Sequence, residues 1–249
     1  MSTLRPTIGL IVPPADGAVP PEPPVLFPDI RFVARGLGLP RLTPTGYDAV
    51  IGQVAETATE LKNEGAAAIS LMGTSLSFYR GPSGNADVLE AMRSATGLPV
   101  TTMTDSVIEA LTALKASSLA VATAYAAPVN EALRDYLVAA GFRIMALEAM
   151  DLTEIDDIQA VDESALFALG ERAAKAAPGA DALFISCGGL RTLPVILPLE
   201  EELGLPVVTS ATAGAWGAAR LVGHSGMAHG FGKLFALPLH GGAGQRATN

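Results

Sequence analysis

The chain of 249 residues holds a single cysteine. One thiol closes no internal disulfide; it fits a reducing compartment and is either core filler or chemistry. Charge is scarce as well: Asp, Glu, Lys and Arg make up 16%, with a formal net charge of −9 and a pI near 4.8. That balance excludes nucleic acid and anionic membranes as expected partners. An anionic ligand then has to be held by local dipoles. No apolar run approaches the roughly 18–20 residues that span a bilayer. The run Ile8 to Val12 falls short of a signal-peptide core of about 7–15 residues. A cytoplasmic protein is expected. The three histidines, His224, His229 and His240, follow no zinc pattern. The glycines make neither a Walker A loop nor a GxGxxG after the first strand, so no metal and no cofactor is expected.

What is present is apolar and patterned. At 49% hydrophobic residues the chain can bury a large core. Short β-branched runs at 7–12, 66–72, 98–103, 118–124, 142–147, 181–186 and 205–210 read as strands. Between them, 46–65 and 162–179 carry apolar residues at helical spacing. The first stops at Asn63-Glu64-Gly65; the second starts on Asp162 as a cap and stops at Pro178-Gly179. Alternation of strand and helix with continuously apolar strands predicts parallel sheets covered on both faces. The segment 13–28 has too much proline for either element and reads as an ordered loop over one end of a sheet. Gly36-Leu37-Gly38-Leu39 reads as a loop near the cleft, with Leu39 lining it. Residues 241–249 read as a frayed tail.

The chain also repeats itself. Gly65 to Leu76 aligns without gaps on Gly179 to Leu190, "GLPVTTM" at 97 resembles "GLPVVTS" at 204, and "TIGLIVPP" at 7 resembles "SLAVATAY" at 118. Three blocks in one order predict two similar Rossmann-like halves, 1–115 and 116–225, related by a pseudo-two-fold axis. A C-terminal segment and tail, 226–249, is expected to pack on the first half. Composition alone makes parallel strands look alike, but it does not explain the shared order. Open α/β sheets bind ligands beyond the carboxyl ends of their strands. The repeat therefore sets Gly73 and Cys187 opposite each other across one cleft.

Small residues cluster at these two places. Gly73, Thr74 and Ser75 follow one strand; Cys187, Gly188 and Gly189 follow the matching one. Glycines let backbone N–H groups face a ligand and hydroxyls add donors, a cradle for a carboxylate or oxyanion. Tyr125, at the end of a strand, adds a phenolic donor. The plainer reading is that these are ordinary turn residues and that Cys187 is a buried hydrophobe. Its place at the end of the strand favours chemistry. A thiol with a pKa near 8.5 is mostly protonated at neutral pH and can protonate a carbanion. Apolar surroundings would keep it so, whereas nearby amides would favour the thiolate. A histidine-assisted cysteine hydrolase is the weaker alternative. Arg80 and Lys233 read as surface charges.

"AISLMGTSLSFYRG", "AVATAY", "SCGGL" and "GLPVVTS", with "GLGLPRLTPTGYDAV" upstream, resemble the arylmalonate decarboxylase family over about residues 7–235. That family resembles in turn the aspartate/glutamate racemases, which use two cysteines on opposite faces of the substrate carbon. Here Gly73 stands in place of the first. The resemblance implies cofactor-free decarboxylation of a disubstituted aryl or alkenyl malonate, a small-molecule dicarboxylate. The enediolate formed is protonated on one face by Cys187. It implies that Thr74, Ser75, Tyr125 and the backbone of Cys187 and Gly188 hold the retained carboxylate, each donor contributing about 3–4 kcal/mol. It places the departing carboxylate in an apolar pocket of Pro13, Pro14, Leu39 and Leu76, with Tyr47 supporting the site, and Ile155 and Ile158 supplying an apolar wall from the loop 148–162. For α-aryl propionates it implies the (R) product. A racemase or cis-trans isomerase with a different second base and a non-catalytic carboxylate-binding protein are the alternatives. The sequence leaves open a monomer or weak self-association.

Overall fold

A computed structural model describes residues 5–237. His240 and the tail 241–249 lie outside the described residues.

The first half runs β1 (Thr7–Val12), α1 (Glu22–Leu26), β2 (Arg31–Gly36), α2 (Pro44–Val50), α3 (Val54–Asn63), β3 (Ala68–Leu71), α4 (Thr74–Phe78), α5 (Gly81–Thr96), β4 (Val100–Thr102) and α6 (Met103–Ala113). The second runs β5 (Ser118–Tyr125), α7 (Ala127–Ala139), β6 (Arg143–Leu152), α8 (Ile155–Gln159), α9 (Glu163–Ala176), β7 (Ala182–Ser186), α10 (Leu193–Leu203), β8 (Val207–Thr209) and α11 (Ser210–Leu221). Each half is one four-stranded parallel sheet, ordered β2-β1-β3-β4 and β6-β5-β7-β8. Numbered within their own halves, the two orders are the same. The inner strands β3, β5 and β7 are buried along their whole length, which is why they are uninterrupted apolar runs. Among the described residues no helix is long and apolar enough to cross a membrane.

Caps explain where the helices begin. The Asp162 carboxylate accepts the Ala165 N–H at 2.8 Å and starts α9, as its spacing predicts. Thr102 and Thr209, at matched places in the repeat, do the same for α6 and α11, accepting N–H groups from Asp105 and Thr212. Helix α11 then packs along α6 of the first half, the most extensive helix pairing among the described residues, and also touches α1, β3 and β4. The crossing is close because Gly217 has no side chain: a Cβ there would stand 2.2 Å from Ser106 Oγ.

Several expectations need correction. Segment 13–28 contains the short helix α1; Pro23 falls in its first turn, where a missing N–H costs nothing. The helix expected over 46–65 starts earlier, on the Thr43 cap with Pro44 following, and is broken by a 3-10 turn at Ile51–Gln53. Gly52 supplies the weak point. Strand β2 has no counterpart in the reading of the sequence. It is an edge strand, partly exposed and rich in arginine, so it lacks the apolar run that marked the others. Strand β6 extends to Leu152, which takes the first part of 148–162 out of the loop and into the sheet.

Candidate active site

Four strand ends meet at one cavity of about 300 Å³. Strand β1 delivers Pro13 and Pro14, β3 delivers Gly73, Thr74 and Ser75, β5 ends on Tyr125, and β7 leads to Cys187, Gly188 and Gly189. Leu39, Leu42, Ile155 and Ile158 add to the apolar lining. The turns after β3 and β7 lie against each other. A Cβ on Gly188 would stand 3.5 Å from the Met72 carbonyl oxygen and 3.1 Å from Met103 Sδ. A Cβ on Gly73 would reach Pro13 at 3.1 Å. Gly188 lets the two walls approach, and Gly73 lets the ends of β1 and β3 close on each other.

Cys187 is 3% exposed, and its residue lines the cavity. Burial pushes its thiol up to about 11; the N–H groups of Gly189 and Leu190 and the Tyr125 hydroxyl pull the other way without reversing it. Of the two opposing effects that the sequence left undecided, desolvation wins, and the thiol carries its proton at neutral pH. The Cys187 N–H donates to Ser210 Oγ at 3.2 Å, so this amide is already committed to the protein. That corrects its expected place among the ligand donors. Among the described residues no protein acceptor takes the Gly188 N–H.

The opposite wall begins at the first turn of α4, whose amides lack intrahelical acceptors. Thr74 Oγ1 donates to Met103 Sδ at 2.9 Å. The Thr74 carbonyl accepts from Thr104 Oγ1 at 3.0 Å and from Ser77 Oγ at 2.9 Å, which fixes α4 on α6. Tyr125 is fully buried, and its hydroxyl accepts from Ser186 Oγ at 3.4 Å. Asn130 holds the backbone there, donating to the Tyr125 carbonyl at 2.7 Å. Burial, then the neighbouring Cys187, raises the Tyr125 phenol well above its ordinary value, so it remains a donor.

Two predicted residues stand off the cavity. Leu76 packs against the Gly73 position and turns away from the lining. Tyr47 is fully buried, 5.0 Å from the Tyr79 ring; its hydroxyl approaches Ser75 without closing a well-formed hydrogen bond. Arg80 pairs with Asp48 on the surface and Lys233 donates to the Gly204 carbonyl. His224 packs edge-on against Phe27 at 4.9 Å, and neither it nor His229 lines the cavity, so among the described residues the hydrolase alternative has no imidazole base there.

Reading the sequence missed Glu22, Gln159 and Arg191, which also line the cavity, and Ser210 and Asn130, which hold the residues that do. The signal for Glu22 was present: an acid among prolines too dense for a flexible linker. Ser210 gave no signal, because its contact is made only when α11 folds back.

Fold and cavity together define a two-lobed α/β enzyme whose one thiol faces a wall of backbone and hydroxyl groups. A family model for arylmalonate decarboxylase matches residues 8–235, and the chain belongs to that family. It is 48% identical over 231 residues to arylmalonate decarboxylase of Bordetella bronchiseptica, covering 92% of this chain and 96% of that one. A maleate isomerase of Nocardia farcinica is 30% identical over 228 residues, covering 84% and 87%. Among solved structures, a liganded arylmalonate decarboxylase variant with one glycine changed to cysteine and one cysteine to serine superposes with a TM-score of 0.90. It is 48% identical, over 92% of this chain and 98% of that one. The chain is a carbon–carbon lyase of the carboxy-lyase type.

Proposed function

We propose that this enzyme decarboxylates disubstituted aryl or alkenyl malonates without a cofactor, and that Cys187 protonates the resulting enediolate on one face. The observation that carries the reading is the buried, proton-bearing thiol in a cavity whose lining holds no second cysteine. Two-base racemisation needs a donor on each face; a lone donor serves a reaction that generates its own carbanion. Loss of CO2 does so, and an aryl or alkenyl group delocalises the charge.

In this reading Thr74, Ser75, Tyr125 and the Gly188 N–H hold the carboxylate that is kept. They lie where charge builds as the enediolate forms, and such preorganised donors act without reorganising. The raised phenol of Tyr125 supports a donor role, since it does not ionise beside the substrate. The other carboxylate lies against Pro13, Pro14 and Leu39, where few groups solvate its charge, and departs as neutral CO2. Gly73 and Leu76 shape that wall, Gly189 and the thiol form the proton-donating one, and Tyr47 backs Ser75. After transfer, water reprotonates the sulfur. The product expected from an α-aryl-α-methyl malonate is the (R) acid.

The test is incubation with 2-methyl-2-phenylmalonate and no added cofactor. CO2 release and a single enantiomer of 2-phenylpropionate are expected. Cys187→Ser lowers the rate by about a hundredfold or more, the usual contribution of a positioned acid. Absence of release, or release undiminished in Cys187→Ser, overturns the proposal. Racemisation of 2-phenylpropionate by the unaltered enzyme would favour the isomerase alternative.

A further inference from the structure

One residue of the cavity has no place in that chemistry. Glu22 opens α1, is 4% exposed, and lines the cavity beside Pro20 and Pro21. Among the described residues its carboxyl forms no ion pair and no hydrogen bond to another side chain. Its own backbone N–H is the one protein donor near it, and the Arg191 guanidinium acts on it only at a distance. Desolvation raises its pKa, the mark of a carboxyl packed in an apolar wall. That single local donor leaves the carboxyl with acceptor capacity free toward the cavity.

The cavity limits what that partner can be. The retained carboxylate is assigned to residues 74, 75, 125 and 188, and the departing one to the apolar corner at 13, 14 and 39. Among the residues of the lining not yet assigned are Ala18, Val19 and Glu22 from the first half and Ile158, Gln159 and Arg191 from the second. Ile158 packs against the thiol turn, since a Cβ on Gly189 would meet its side chain at 3.2 Å. The α-substituent of the substrate has these residues left to meet.

We propose that Glu22 is a specificity-determining residue whose carboxyl accepts a hydrogen bond from a hydroxyl carried on the substrate's aryl substituent. The preferred substrates are therefore hydroxyaryl malonates rather than plain aryl ones. This rests on the malonate reading of the same cavity. An acceptor set in an apolar wall discriminates strongly, because a substituent with no donor covers it without replacing the water it displaces.

The experiment compares kcat/KM for 2-methyl-2-(3-hydroxyphenyl)malonate and its 4-hydroxy isomer with that for 2-methyl-2-phenylmalonate. The expected preference for the better hydroxy isomer is about tenfold or more. In Glu22→Leu it falls to about one; in Glu22→Gln, which keeps a neutral acceptor, it falls to about threefold. A wild-type ratio near one for both isomers overturns the proposal, as does a ratio unchanged in Glu22→Leu. If Glu22→Leu does not fold, an unchanged ratio in Glu22→Gln overturns it instead. Should none of the malonates turn over, the malonate reading fails separately. Calorimetric Kd values for 2-(hydroxyphenyl)propionates against 2-phenylpropionate, in the wild type and Glu22→Gln, then decide the Glu22 assignment by the same ratios.

Discussion

Cys187 shows how much of an active group's character comes from its surroundings. Its thiol is pushed up to about 11 by burial, against three nearby donors that favour the thiolate. The proton-bearing form is therefore the stable one at neutral pH, and it ionises only as pH rises toward that value. Alkylation by iodoacetamide tests this. The reaction is expected to be slow near pH 8, slower than for a free thiol, and to accelerate as pH rises toward about 11. Fast modification at neutral pH would mean that the amides outweigh burial. The residue type and its place after a strand were legible in the sequence. Which of the two opposing effects prevails was not, because it depends on how completely four strand ends close around the sulfur.

At the scale of the element, the legible features were those written in consecutive residues. Buried strands β3, β5 and β7 are unbroken apolar runs, and Asp162 is a cap whose donor, the Ala165 N–H, lies three residues on. What escaped was set by neighbours remote in sequence. Edge strand β2 exists because β1 offers it a ladder from Thr7 to Val12. The committed amide of Cys187 is known only once Ser210 is brought to it. Asp181 is another such tie. Its carboxylate accepts the Ser117 and Ser118 N–H groups at 2.9 and 2.8 Å and both hydroxyls, joining the start of β5 to the approach of β7. These donors hold its pKa well below the usual carboxylate range. A depressed folded value stabilises above the unfolded pKa and is lost as pH falls through the folded one. Asp181→Ala is expected to lower Tm by a few degrees at neutral pH. The gap from wild type should narrow in acid below about pH 4, where the unfolded carboxyl protonates. An equal gap at both pH values would rule out the carboxylate as the cause.

For the whole molecule, the repeated strand order sets the end of β3 against the end of β7 and leaves Gly73 on the wall across from the thiol turn. Gly73 has φ −136° and ψ 98°, a conformation open to any residue. A side chain there needs Pro13 and Leu76 to yield by a few tenths of an ångström. Gly73→Cys with Cys187 retained is expected to gain racemase activity on 2-phenylpropionate, followed by loss of optical rotation. A folded double-thiol protein with no racemisation would mean that the two positions do not address one carbon.

The amide of Cys187 is tethered to the first residue of α11, and α11 lies mainly on the other lobe. The reactive sulfur is thus a gauge of how firmly the lobes are docked. Gentle warming or dilute urea that lets one lobe slip on the other should silence turnover while both sheets are still intact, so inactivation would run ahead of melting.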